Sequence, residues 1–245
     1  MTPLLSVVIP TYNEANRIEK TLLALKTFLN DQQLEWELII SDDGSTDSTR
    51  TLVNELTQAI PQAKLITAEH KGKGNALKSG VSQSLGEYIF LFDADMSMPV
   101  NQLLRFLPPS LGSFDIAIGS RNIPGSRKFM EPMKRSIQGR VFNKLVQIFA
   151  LRGISDTQCG FKCLRAVTVK PIIETLQIDG FAFDVELLMS AQQHQLRIVE
   201  VPIDWVHTSG SRVRPFIDPL IMLCDLIRLR YRRFTIKGNH DQPHK

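Results

Sequence analysis

The chain of 245 residues is 43% hydrophobic and 22% charged, with a formal net charge of +4. Such a balance supplies a full core and excludes a disordered chain, a collagen-like fibre and a small disulfide scaffold. With three cysteines, no charged and apolar leader, and no uncharged apolar run near the ~20 residues of a membrane span, a cytoplasmic setting is the expectation. In chain order, residues 4–9 are apolar and β-branched on both faces, the pattern of a buried parallel strand that ends at Pro10. A helix follows, with Ile18, Leu22, Leu23 and Leu25 spaced for one face. A second strand at 36–41 stops at Asp42-Asp43-Gly44, and Ser45 or Asp47 can cap the next helix, which carries Leu52, Val53 and Leu56. A third strand at 65–68 leads through a glycine-rich turn into a helix at 76–84, and strands are expected at 88–92 and 116–118. Alternating strands and helices with short links predict an α/β fold with a mainly parallel sheet and right-handed crossovers. Ligands then sit beyond the carboxyl ends of the strands.

Past Arg121 the pattern loosens. The spacing predicts a helix over 133–150, a loop at 153–160, a short strand at 161–164, helices at 167–175 and 184–193, a strand at 198–205 and a last helix at 216–234. Neither repeat nor linker interrupts it, so one domain over 1–237 with a frayed tail at 238–245 is expected. The charge is unevenly spread. Seven basic residues lie between Arg121 and Lys144 against Glu131 alone, and four arginines fall between Arg228 and Arg233. Such blocks point either to anionic partners or to a solvated basic face.

The chemistry gathers at the strand ends. Asp93 and Asp95 close the fourth strand, and residues two apart on a strand point the same way. Two hard carboxylates aimed at one point suit Mg²⁺ or Mn²⁺ with positions left for substrate phosphates; the alternative is a pair of surface acids capping a turn. Asp42 and Asp43 end the second strand at the same rim, where an acid can accept from a ribose or a base. Lys71-Gly72-Lys73-Gly74-Asn75 lacks the spacing of a phosphate-binding loop, so its glycines are read as a tight turn with close helix packing, leaving Lys73 as a candidate nucleotide contact. His70, His194 and His207 have no partner spacing and are read as structural or surface groups. Cys159 and Cys163 are read as packing thiols, and Trp36 and Trp205 as core.

Ser6-Val-Val-Ile-Pro-Thr-Tyr-Asn-Glu14, Asp42-Asp-Gly-Ser45, Gly72-Lys-Gly74 and Asp93-Ala-Asp95, in that order, resemble the family 2 glycosyltransferases of the GT-A fold. Gly119-Ser-Arg121, Asp156-Thr-Gln-Cys-Gly-Phe-Lys162 and Phe181-Ala-Phe-Asp-Val-Glu-Leu-Leu188 resemble their polyprenyl-phosphate sugar synthase branch, above all the dolichyl-phosphate β-glucosyltransferases. The resemblance implies transfer of a hexose, glucose ahead of others, from a nucleotide diphosphate sugar to a polyprenyl phosphate with inversion. The donor implied is UDP-glucose, with GDP-mannose as the neighbouring branch's choice. It implies that Pro10, Tyr12, Glu14, Asp42, Asp43, Lys73, Ala94 and Arg212 contact the donor, that Asp93 and Asp95 hold Mg²⁺ or Mn²⁺, and that Arg121 and Arg135 meet the acceptor phosphate. The nucleotide-binding half is then 1–120 and the acceptor half 121–215.

A lipid phosphate needs no strong base, because its second pKa lies near ~6. A sugar hydroxyl would need one, and Asp156 is the candidate, unless it is a loop acid bonding nearby backbone amides. Relatives carry a membrane anchor, whereas the 216–234 helix, apolar on one face and arginine-rich at its end, implies peripheral attachment on the cytoplasmic face. Three rival readings stand beside this one. A family 2 transferase with a carbohydrate hydroxyl acceptor shares the motifs, while a sugar-nucleotide pyrophosphorylase would want a glycine-rich motif after the first strand. A nucleic-acid-binding module has the basic blocks but not the aromatic–basic interleaving, so no nucleic-acid partner is expected.

Overall fold

The computed structural model describes residues 2–130, 144, 146, 147, 151, 153–208, 214 and 217–240, with side chains as far as Tyr231. Its strands are β1 Leu5–Thr11, β2 Trp36–Asp42, β3 Ala63–Thr67, β4 Tyr88–Leu91, β5 Ile116–Ser120, β6 Arg127–Phe129, β7 Lys162–Arg165, β8 Ile198–Pro202 and β9 Asp204–Val206. The helices described are α1 Ile18–Asp31, α2 Thr49–Ala59, α3 Lys73–Ser82, α4 Ala166–Thr175, α5 Phe183–Gln193 and α6 Ile217–His240. Seven strands make one sheet in the order β3-β2-β1-β4-β7-β5-β8, and β6 pairs with β9 apart from it.

Strand β1 runs between β2 and β4, parallel to both. Helices cover both faces of such a sheet, so an interior strand such as β1 is mainly apolar, and Val7, Val8 and Ile9 are fully buried. Each such side chain contributes about 1.5–3 kcal/mol of transfer free energy. Helix α1 buries Ile18, Leu22, Leu25 and Leu29, spaced by four, three and four, while Leu23 is 43% exposed and leaves the face expected for it. Neither Ser45 nor Asp47 is the N-cap of α2, which is Ser48; Asp47 lies one residue before it, and its Oδ1 accepts from the Thr49 amide at 2.9 Å.

The register levels the strand ends. Thr11 of β1 pairs with Asp42 of β2, and Asp42 with Thr67 of β3. Strand β7 runs against its neighbours β4 and β5, with Lys162 opposite both Leu91 and Ile118. It therefore starts where they end, and it delivers the 156–162 motif to the rim that carries Asp93.

Three elements depart from expectation. Helix α3 begins at Lys73, three residues before the expected 76, because the Asn75 amide finds a carbonyl outside the helix, Asp179 O at 3.1 Å. The strand expected over 198–205 breaks in two: the Ile203 amide makes the last bond to β5, to Ser120 O at 3.3 Å, and the chain then turns away as β9 to pair with β6. Helix α6 continues to His240, beyond the 234 expected and through part of the tail taken as frayed, because Gly238 alone is too small a penalty to stop it. The helix expected over 133–150 lies outside the described residues apart from Lys144, Val146 and Gln147, which are helical.

Candidate active site

The rim beyond β1, β2 and β4 is built from hydrogen bonds between segments distant in sequence. Asn13 adopts a left-handed φ of 56°, which its short amide tolerates by bonding locally. Its Oδ1 accepts from the Thr46 and Asp47 amides at 2.8 and 3.1 Å. The Glu14 amide donates to Thr49 Oγ1 at 2.8 Å. The Tyr12–Glu14 loop is thereby pinned to the start of α2.

The two acids after β2 have different surroundings. Asp42 is wholly buried and accepts from the Gly44 and Ser45 amides, the Ser45 hydroxyl, Thr11 Oγ1 and Arg50 Nε. Its oxygens fold the turn. Asp43 closes the next loop: Oδ1 accepts from the Lys71 and Gly72 amides at 3.0 Å each, and Oδ2 lies 2.8 Å from His70 Nδ1. The His70 ring stacks on Tyr12, with centroids 4.2 Å apart and planes 12° from parallel. A histidine read as structural thus joins the candidate nucleoside residues in an aromatic platform beside Asp43.

Asp93 and Asp95 follow β4. Helix α1 reaches them directly, since Thr21 Oγ1 donates to the Ala94 carbonyl at 2.7 Å. Asp95 Oδ1 accepts from the Ser97 amide and hydroxyl at 2.9 and 2.6 Å, and Oδ2 from Thr208 Oγ1 at 2.9 Å. Burial pushes this carboxyl up, but the Ser97 and Thr208 hydrogen bonds and the Arg17 charge outweigh it, holding Asp95 below the ordinary carboxylate range. Arg17 itself pairs with Glu14, which lies in the same rim. Asp93 Oδ1 accepts from Lys73 Nζ at 2.7 Å. A Cβ added at Gly160 would fall 2.0 Å from Asp93 Oδ2, so a side chain there would push the carboxylate out of this position. Beneath them Lys162, fully buried, donates to Asp184 Oδ1 at 2.6 Å and ties the 156–162 loop to α5.

Beyond β5, Arg121 and Asp156 form a two-pronged pair, with Nε to Oδ2 at 2.7 Å and Nη2 to Oδ1 at 2.9 Å. The Arg121 amide adds a third contact at 3.0 Å, and the guanidinium lies 5.5 Å from the centre of the Trp205 ring. Burial raises the Asp156 carboxyl, and Arg121 overrides this to leave it below its usual value. Glu200 holds the loop in turn, accepting from the Ser155 and Asp156 amides.

The fold thus brings Pro10, Tyr12, Glu14, Asp42, Asp43, Lys73, Asp93, Ala94 and Asp95 to one rim, with Arg121 and Asp156 at the end of β5 on the same side. Arg135 and Arg212 lie outside the described residues. Sequence reasoning missed Arg17, Ser97, Thr208 and the His70 stack. Ser97 was within reach, two residues past Asp95, but Thr208 is 113 residues away and nothing in the spacing announces it.

The model for glycosyl transferase family 2 matches residues 6–170. The dolichyl-phosphate beta-glucosyltransferase of Dictyostelium discoideum is 35% identical over 246 residues, spanning 93% of this chain and 74% of that protein. The Homo sapiens protein of the same name is 32% identical, over 100% of this chain and 80% of its own. Among solved structures, glucosyl-3-phosphoglycerate synthase from Mycobacterium tuberculosis, in complex with Mn²⁺, UDP-glucose and phosphoglyceric acid, superposes with a TM-score of 0.65. It is 19% identical, over 92% of this chain and 77% of that one. At that identity the likeness concerns the fold, and it is the GT-A α/β fold expected from the sequence.

Proposed function

The chain belongs to glycosyl transferase family 2, and from that membership we propose that it moves glucose from UDP-glucose to a polyprenyl phosphate of the dolichyl type, with inversion. The names of its relatives support the donor sugar and the acceptor class. The observation that carries the reading is the state of Asp156. An acceptor hydroxyl needs a base with a free lone pair and a pKa near the working pH. Asp156 is 3% exposed, is gripped at both oxygens by Arg121 and is held below its usual range. It orients the guanidinium and is a poor proton acceptor. A phosphate monoester, already dianionic near neutrality, needs a fixed cation for its alignment, and arginine suits it.

In this reading 1–120 is the donor half and 121–215 the acceptor half. Tyr12, stacked on His70, lies against the base, and Glu14, Asp42 and Asp43 shape the pocket around the nucleoside. Pro10 and Ala94 supply backbone at its floor, and Arg212 approaches the diphosphate. Arg121 and Arg135 align the acceptor. Asp93 and Asp95 fit Mg²⁺ or Mn²⁺: both are hard oxygen donors, Asp95 stays ionised, and its Oδ2, which among the described residues accepts only from Thr208, keeps a lone pair for a cation. Bound there, such an ion supplies neutralising charge to the departing diphosphate. A panel of nucleotide sugars offered with a short polyprenyl phosphate tests the donor. UDP-glucose is expected to release its nucleoside diphosphate fastest; release that is faster from GDP-mannose contradicts the donor assignment.

The pH profile carries a further prediction. Asp95 and Asp156 are both depressed, so what they contribute to stability is complete above the unfolded value of about 3.9 and is lost as pH falls through their lower folded values. Neither titrates near neutrality. The acid limb of kcat/KM for the acceptor is therefore expected near ~6, at the second ionisation of its phosphate. A phosphonate acceptor, with a different second pKa, should move that limb. A limb that does not move argues for a group on the protein.

Among the described residues no helix is long and apolar enough to cross a membrane. Helix α6 nevertheless carries two apolar stripes. Met222, Leu226 and Leu229 are buried inward, while Ile217, Leu220, Ile221, Cys224, Ile227 and Tyr231 face outward, with Arg228 and Arg230 beside them. We read the outer stripe as a seat on a membrane surface, on the cytoplasmic face where anionic headgroups and a lipid-borne acceptor meet, each cation adding about 1 kcal/mol. Flotation with vesicles containing anionic lipid is expected to lift the protein at low salt and release it at high salt. Protein that stays at the bottom at low salt contradicts this attachment.

A further inference from the structure

The Lys73 ammonium sits against one of the two carboxylates assigned to the metal, 2.7 Å from Asp93 Oδ1. Its position is fixed by the way α3 begins. Gly72 takes φ +127°, and a Cβ there would lie 2.6 Å from the Asp179 carbonyl oxygen. At Gly74 a Cβ would lie 2.7 Å from the Ile178 carbonyl oxygen, and Lys78 pairs with Asp179 at 2.5 Å. The first turn of α3 is therefore clamped to the 178–180 loop. On the other side of Asp93, the backbone at Gly160 leaves no room even for a methyl group. A cation arriving at Asp93 meets a carboxylate walled on one side and occupied on the other. Lys73 already balances the Asp93 charge, while Arg17, paired with Glu14, adds a weaker attraction for both aspartates. A bare divalent ion would have to displace an ammonium and gain little.

We infer that Lys73 is a positioning residue that competes with the metal for Asp93 and yields only when a nucleotide diphosphate offers its ammonium another anionic partner. The inference rests on the reading that Asp93 and Asp95 receive the metal of the donor. Metal and nucleotide then bind as a linked pair, each raising the other's affinity by the same factor. The enzyme takes up little free metal, and the ammonium freed from Asp93 moves to the diphosphate, where charge builds as it departs.

Mn²⁺ binding, followed by the paramagnetic resonance signal of the free ion and corrected for Mn²⁺ held by UDP in solution, tests this without turnover. In the unaltered protein UDP is expected to tighten Mn²⁺ binding by roughly tenfold or more. Lys73→Met should bind Mn²⁺ alone roughly tenfold more tightly than the unaltered protein, and the factor by which UDP tightens Mn²⁺ binding should shrink by about the same tenfold. Lys73→Arg, which keeps the cation, should still depend on UDP. If Lys73→Met does not fold, as judged by its melting curve, Lys73→Gln is measured in its place with the same expectation. Neutral variants that bind free Mn²⁺ no more tightly than the unaltered protein overturn the competition and leave the metal assignment standing. If Asp95→Asn binds Mn²⁺ with UDP as well as the unaltered protein does, the metal is elsewhere, and the assignment and the inference fall together.

Discussion

Asp95→Ala is expected to lower kcat for transfer by at least roughly a thousandfold, because the charge stabilisation at the departing diphosphate is worth several kcal/mol and each 1.36 kcal/mol is tenfold in rate. The substitution also strips the Ser97 and Thr208 hydroxyls of their shared acceptor, which loosens the floor of the site. Asp95→Asn separates the two effects: it preserves an acceptor for Ser97 but removes the charge, and it should lose nearly as much. Chelation by EDTA should reproduce the loss in the unaltered protein, and Mg²⁺ or Mn²⁺ should restore it. An Asp95→Asn enzyme that stays within tenfold of the original rate removes the metal role from Asp95.

Asp184→Asn is expected to lower stability by about 3–5 kcal/mol, the cost of leaving a buried charge without its partner. Lys162 is fully buried and Asp184 is 5% exposed, so water cannot replace the lost carboxylate. For a chain of this size each kcal/mol moves the melting temperature by about 2–4 °C, so a drop of about 6–20 °C should appear in thermal melting. Lys162 bridges the Cys159 carbonyl and α5, and its loss of anchorage would also shift Gly160 against Asp93. A change below about 2 °C would mean that the ammonium finds another partner or sheds its proton.

The sequence reading and the structure agree where local pattern dictates geometry. The strands β1, β2 and β4 are rich in apolar residues on both faces, as a doubly covered sheet requires, and the acids that follow them fall on the ligand side of such a sheet. The first-half strands, and the placing of Asp42, Asp43, Asp93 and Asp95 at their ends, were therefore legible from periodicity, while the roles of Pro10, Tyr12 and Glu14 came from the family resemblance. Agreement fades where pairing is between distant segments. Nothing in the run 161–164 reveals that β7 enters antiparallel between β4 and β5, yet that reversal brings Lys162 and Gly160 to Asp93. The Tyr12–His70 stack and the Thr208–Asp95 bond depend on the same tertiary placement. Leu23 was assigned to the buried face of α1 by spacing, and the observed face at Ile18, Leu22, Leu25 and Leu29 passes it by. Asp156 shows the limit of reading charge from type: its residue class allowed a base, and only the structure reveals that Arg121 grips it.

The claim on which the account turns is that the acceptor is a lipid phosphate. It is tested most directly by supplying UDP-glucose labelled in its glucose, a short polyprenyl phosphate and Mn²⁺, then partitioning the quenched reaction between water and organic solvent. The account predicts label in the organic phase, in an amount matching the UDP released, and none when the corresponding polyprenol without its phosphate is offered. Label that stays in the aqueous phase with lipid phosphate present, and enters a soluble saccharide when one is added, would contradict it and transfer the site to a hydroxyl acceptor.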